Sequence, residues 1–222
     1  MPYIFRLLTI LMLCTTTAHA GAWMREKEEY FIAAGGNFLL SEGAQLPVHY
    51  DPTLYLEYGF AEKLTLGVDL HVGDAGRVQT GFIFGSFPIG KLDGQQKLSA
   101  TLGFGVRTKQ SAPTDALMRA GVSWGLGLAD GWWSVDGAAI FSKNDQKFRP
   151  KIDFTRGHRF PDKWEMSVQI QTGQGVSDDY YAKIVPSATY NLRDNIKLHL
   201  GAAQALTGDR GAGLKFQTWI TF

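Results

Sequence analysis

The chain of 222 residues is nearly without cysteine, and the single one, Cys14, lies within its first twenty residues. No disulfide framework is therefore expected. After residue 20 there is no run of about eighteen apolar residues, so no transmembrane helix is expected either. Charge of one sign is also lacking, with 22 Lys and Arg against 21 Asp and Glu. Nucleic acid is accordingly not an expected partner. No glycine-rich loop leads into a convincing helix, and no serine sits in a nucleophile motif. Proline is sparse at 8, whereas glycine reaches 26 and aromatics 13%. Glycine admits tight turns and strongly coiled strands, and aromatics suit interfacial belts.

Residues 1–20 have the parts of an export signal: Arg6, the apolar stretch Leu7 to Leu13, and the small-x-small site Ala18-His19-Ala20. Cys14 raises the alternative of a lipoprotein site, but that motif needs a small residue where Leu13 stands. Cleavage after Ala20 leaves a near-neutral mature chain, residues 21–222, that begins at Gly21 and has no cysteine. If this chain spans a membrane, it must do so as a closed barrel, because helices and closed barrels alone satisfy every backbone group in lipid.

The chain carries a repeat of turns. An acid flanked by apolar residues recurs at Glu62, Asp93, Asp130, Asp162 and Asp194, in steps of 31, 37, 32 and 32 residues. That spacing accommodates a strand, a loop, a strand and a tight turn. Between the turns lie segments of period two. Leu64, Leu66, Val68, Leu70 and Val72 oppose Thr65, Gly67, Asp69 and His71, and Trp164 to Gln171 and Ile196 to Gly201 alternate likewise. The apolar face is the one that must be covered, because the other is rich in charge and glycine. Strands are predicted at about 29–40, 52–60, 64–73, 77–89, 97–108, 115–128, 132–142, 148–160, 163–172, 179–192, 196–206 and 211–222. The fold class is thus all-β: an antiparallel, transmembrane up-and-down β-barrel of about twelve strands, with ten or fourteen as alternatives. Tyr58, Phe60, Trp132, Trp133, Phe160, Trp164 and Tyr190 are expected at one interface, and Tyr50, Phe141, Phe148, Tyr180 and Tyr181 at the other. Three places resist the pattern: Phe82 to Phe84 is apolar on both faces, Arg156 falls on the lipid face, and Pro150 and Pro186 remove ladder donors.

The last strand ends on Phe222, with Leu214, Phe216, Thr218 and Ile220 on its face. It resembles the closing strand of Gram-negative outer-membrane β-barrels. The resemblance implies that Leu214, Phe216, Ile220 and Phe222 form the signal read by the barrel assembly machinery, with outer-membrane lipid and lipopolysaccharide as surroundings and both termini periplasmic. Gly21-Ala22-Trp23 resembles the mature start of a group of proteobacterial exported barrels, and the strand pattern resembles the phenol-degradation pathway transporters.

On the inward face the expected lumen-lining residues are Glu57, Asp69, His71, Arg107, Arg119, Asp136, Lys183 and His199. They suit either internal bracing or a narrow channel for a small solute. Inward glycines such as Gly67, Gly103, Gly105 and Gly125 are expected to leave room for water or, alternatively, to serve strand coiling. A non-conducting surface barrel is the alternative, and a lipid hydrolase built on Asp69 and His71 with Ser41 or Ser177 is another. No cofactor or metal site is assigned; Asp74, Asp178, Asp179 and Asp209 are ordinary turn residues.

Overall fold

The computed structural model describes residues 21–40, 48–90, 94–110, 112–175, 178–208 and 211–222. The leader with Cys14, the turn acid Asp93, and Ser41, Ser177 and Asp209 lie outside these residues. Twelve strands follow in order: β1 (Tyr30–Leu40), β2 (Val48–Ala61), β3 (Leu64–Gly73), β4 (Val78–Pro88), β5 (Gln96–Lys109), β6 (Asp115–Leu128), β7 (Gly131–Ser142), β8 (Lys147–Arg159), β9 (Trp164–Gln174), β10 (Tyr180–Arg193), β11 (Ile196–Thr207) and β12 (Ala212–Thr221). Each pairs antiparallel with the next, and β1 pairs with β12 to close the barrel. Closure is finished by Tyr30 and Phe222, whose backbones exchange hydrogen bonds of 3.1 and 3.0 Å. An open sheet would leave an edge unsatisfied in lipid; this one has none.

The turns at Glu62, Asp130, Asp162 and Asp194 all fall at one end of the barrel, beside both ends of the described chain. Proline was the main source of boundary error. β2 begins at Val48 rather than at Pro52, because Pro52 stands opposite Gly36 of β1 and beyond the β2–β3 ladder, whose first pair is Thr53 with His71. Pro150 similarly lies just past the β8–β9 ladder, which starts at Lys151. Pro186 does interrupt pairing: between Ile184–Gln204 and Ser187–Gly201 the β10–β11 ladder has no pair.

The molecule is inside out relative to a soluble protein. Ile83 (65% exposed), Phe104 (61%) and Leu214 (60%) face outward, while Glu57, Arg107, Asp153 and Gln217 are buried within. A continuous apolar exterior of this extent requires a lipid covering. Aromatic clusters stand at the two levels: Tyr30 on Tyr58 (4.4 Å) and Trp164 on Tyr190 (4.9 Å) at the short-turn end, Phe38 on Tyr50 and Phe141 on Phe148 (both 4.8 Å) at the other. Trp132 and Tyr181, expected in these belts, instead point inward, opposite Gly157 and Gly173 respectively. Arg156 does face outward. Its guanidinium turns to the short-turn end, where it bonds the Trp132 carbonyl (3.1 Å), reaches Asp130 (4.0 Å) and covers Trp133, so snorkelling replaces a bulge.

Candidate functional site

The inner wall is built by every second residue of each strand, and the register decides which ones. Phe82 and Phe84 of β4 are buried inside and Ile83 points out, which settles the stretch that is apolar on both faces. The neighbouring inward glycines make this packing feasible. A Cβ at Gly67 would collide with the Phe84 ring, and one at Gly105 with the Phe82 ring. A Cβ at Gly125 would strike Trp23. These glycines therefore accommodate aromatic rings instead of leaving room for water, contrary to the expectation from composition.

The short-turn half of the lumen is filled further by the segment before β1, which turns back inside the barrel. Glu28 N–H donates to the Gly59 carbonyl (2.7 Å), and Gly59 N–H donates to that of Glu29 (2.9 Å). From there Arg25 is buried: its backbone N–H donates to Thr65 Oγ1 (3.1 Å), its Nε to Glu57 Oε2 (2.6 Å), and its guanidinium lies 4.2 Å from the Phe31 ring centre. Tyr55 Oη donates to the other oxygen of Glu57 (2.7 Å). Ala22 is 2% exposed, and Ser99 Oγ donates to the Gly21 carbonyl at 2.6 Å.

A second layer crosses the lumen above it. Tyr55 stacks on Phe84 (5.6 Å), and Arg119 lies 4.6 and 5.0 Å from the ring centres of Phe82 and Phe84 while bonding Asp69 at 2.7 Å. Opposite, Trp219 stacks on His199 (4.4 Å), whose Nδ1 is 2.9 Å from Thr189 Oγ1. Nearer the short turns Lys197 bonds Glu165 at 2.7 Å, and towards the long loops Lys151 bonds Asp153 at 2.7 Å.

The long-loop end is a rim of ion pairs. Arg107 stands 3.9 Å from Asp115, which accepts a 2.7 Å bond from Ser142 Oγ. Arg149 pairs with Asp145 and, at 2.8 Å, with Asp178, which Lys147 also engages. Hydrogen bonds, first from Arg149 and then from Ser142, hold the Asp145 carboxyl well below the usual carboxylate range, and that of Asp178 is lowered chiefly by Lys147.

The expected lumen residues thus divide into groups. Glu57, Asp69, Arg107 and Arg119 are paired and brace the interior, and His199 is packed under Trp219. Lys183 extends over Tyr181 at 5.5 Å. His71 faces inward and is exposed, and Asp136 accepts a bond of 3.3 Å from Ser134. Lys215 also faces inward, with no carboxylate within salt-bridge distance among the described residues. The Asp69 carboxylate engages Arg119 rather than His71, and Ser41 and Ser177, the serines considered with them, lie outside the described residues. Arg25, Trp23 and the inward phenylalanines were missed. No local pattern marks them, since their role arises from what the closed barrel encloses.

Together the closed sheet, apolar exterior and charged interior define a twelve-stranded transmembrane β-barrel. No family model matches the chain, and no curated protein does. Among solved structures, it is similar to the KdgM porin in complex with disordered oligogalacturonate, at 12% identity and TM-score 0.65, covering 86% of this chain and 99% of that one. It is similar too to an outer-membrane channel from Pseudomonas putida F1 (9%, TM-score 0.61, 94% and 100% covered) and to outer-membrane phospholipase A from Escherichia coli (8%, 0.52, 95% and 96%). At these identities the likeness is one of fold.

Proposed function

We propose that the protein is an outer-membrane channel giving a small solute a narrow path, with both termini in the periplasm and the export leader removed. The observation carrying this reading is the inner wall: charged side chains continue from the Arg149 rim through Lys151 and Lys215 to the Lys197–Glu165 pair, inside an apolar exterior. A purely structural barrel would gain more from an apolar, close-packed interior than from buried ion pairs. Lys215 adds positive charge to a lumen whose carboxylates are largely engaged, which favours anionic solutes. A porin of the same fold that holds an oligogalacturonate, itself an anionic oligosaccharide, supports that choice. Lipopolysaccharide at the rim and the assembly machinery at Leu214, Phe216, Ile220 and Phe222 complete the proposed partners; Leu214, Phe216 and Phe222 are exposed on the outer surface.

The segment Gly21 to Arg25, filling the short-turn half, favours a second reading in which the barrel is closed at rest or does not conduct. Planar-bilayer recording separates the two. The wild-type protein is expected to show brief or small openings, and a variant lacking residues 21–25 larger ones with anion-selective reversal potentials. Silence from both folded proteins would establish the non-conducting barrel.

A further inference from the structure

The described part of the segment that fills the lumen starts at Gly21, beside a carboxylate with no ion pair among the described residues. Asp136 of β7 accepts a hydrogen bond at Oδ2 from Ser134 at 3.3 Å, and Ser123 lies beside the same carboxyl. Its Oδ1 is buried without any. Directly across the β7–β8 ladder stands Asp153, and the cation beside this pair, Lys151, bonds Asp153 Oδ2 at 2.7 Å. Asp136 is thus left without an ion pair of its own among the described residues. An uncompensated buried charge is costly, so a second cation is called for.

Gly21 occupies the required place. A Cβ added to it would collide with Asp136 Oδ1 and lie 2.7 Å from Ser123 Oγ, and its φ of +89° is one that glycine adopts without strain. Standard backbone dimensions then bring the Gly21 nitrogen within about 5 Å of Oδ1. In an uncut chain that nitrogen is a neutral amide with one donor. In a chain cut after Ala20 it is an α-ammonium with a full charge and three donors.

We infer that removal of the leader creates, at Gly21, an α-ammonium group that ion-pairs with Asp136 inside the lumen and locks the N-terminal segment across the barrel. The inference depends on export and leader removal, and is independent of whether the barrel conducts. It gives the residues a coherent set of roles. Ser99 fixes the Gly21 carbonyl, Gly125 accommodates Trp23, and Glu57 takes Arg25, so the segment is held at both ends by charge and between them by packing.

The test is amine labelling of the secreted, full-length mature protein, purified from outer membranes and treated at neutral pH with an N-hydroxysuccinimide ester, with sites read by mass spectrometry. A free α-amino group, with a pKa of about 7.7–8.0, reacts ahead of lysines under these conditions. The Gly21 amine of the folded wild type is expected to label at least tenfold more slowly than in the urea-unfolded protein. Asp136→Asn should recover most of that rate, while Asp153→Asn should not. A mature N-terminus elsewhere than Gly21 would overturn the inference, as would equal labelling of folded and unfolded wild type. Should Asp136→Asn fail to fold, the same comparison is made with refolded protein carrying one extra methionine before Gly21. Its displaced amine should label as fast as in the unfolded chain, and slow labelling there would also overturn the inference.

Discussion

At the scale of the residue, the glycines show how one amino acid serves opposite purposes. Gly67 and Gly105 lie on the inner wall because rings of β4 occupy the volume their side chains would need. Gly67→Val would force Phe84 from its place against Tyr55, and overpacking of this kind costs about 1–3 kcal/mol. A lowered thermal midpoint of the folded band in heat-modifiability electrophoresis is the expected readout. Gly76→Val, with nothing within 4 Å of its Cβ though at positive φ, controls for backbone strain without overpacking. Arg25 presents the converse case, a cation the interior depends upon. Arg25→Ala leaves Glu57 buried beside Tyr55 with no counter-charge, a change that typically costs about 3–5 kcal/mol. The double variant Arg25→Ala with Glu57→Gln should restore part of that loss in urea unfolding, and an additive loss would disprove the pairing. The sequence disclosed Glu57 as inward by its phase in β2, but Arg25 lies outside any alternating segment and could not be placed.

At the scale of the element, β12 and the rim turns have distinct tasks. Deleting Phe222 removes the exchange of backbone bonds with Tyr30 that closes the seam, along with an outward aromatic at the interface. Less folded barrel in the outer membrane is expected, and heat-modifiable protein at wild-type levels would count against the role given to the C-terminus. The rim turn at Asp145 depends on pH. Its folded-state carboxyl is held below the unfolded value of about 3.9, so its contribution is full above that value and is lost as pH falls toward the depressed folded one. Asp178 acts in the same direction. Hydrogen-exchange protection of the Lys147 amide, which donates to Asp145 Oδ1 at 3.2 Å, should therefore hold from pH 7 to about 4.5 and decline below about 4. Constant protection to pH 2.5 would show that the ionised carboxylate is not what orders the turn. Nearly all strand boundaries were legible from alternation and turn acids, and the exception, β2, was misjudged where Pro52 lies beyond a neighbour's ladder.

For the molecule as a whole, selectivity follows from which lumen charges remain after pairing. Lys215→Glu places an anion on the inner face of β12 and should move the reversal potential of the open pore toward cations; an unchanged potential would remove Lys215 from the conducting path. Alternation, turn spacing and the absence of any long apolar run were enough to determine the antiparallel barrel and its outward face, because lipid imposes period two on every strand and forbids an edge, while the choice of twelve strands over ten or fourteen fell to the closed sheet itself. What fills the barrel was decided by tertiary structure alone. Closing the sheet brings Arg25 to Glu57, Arg119 to Phe82, and Gly21 to Asp136 across 32, 37 and 115 residues of chain respectively. No local pattern encodes such meetings, since the inner wall's periodicity tells which side chains point inward and says nothing of which ones meet there.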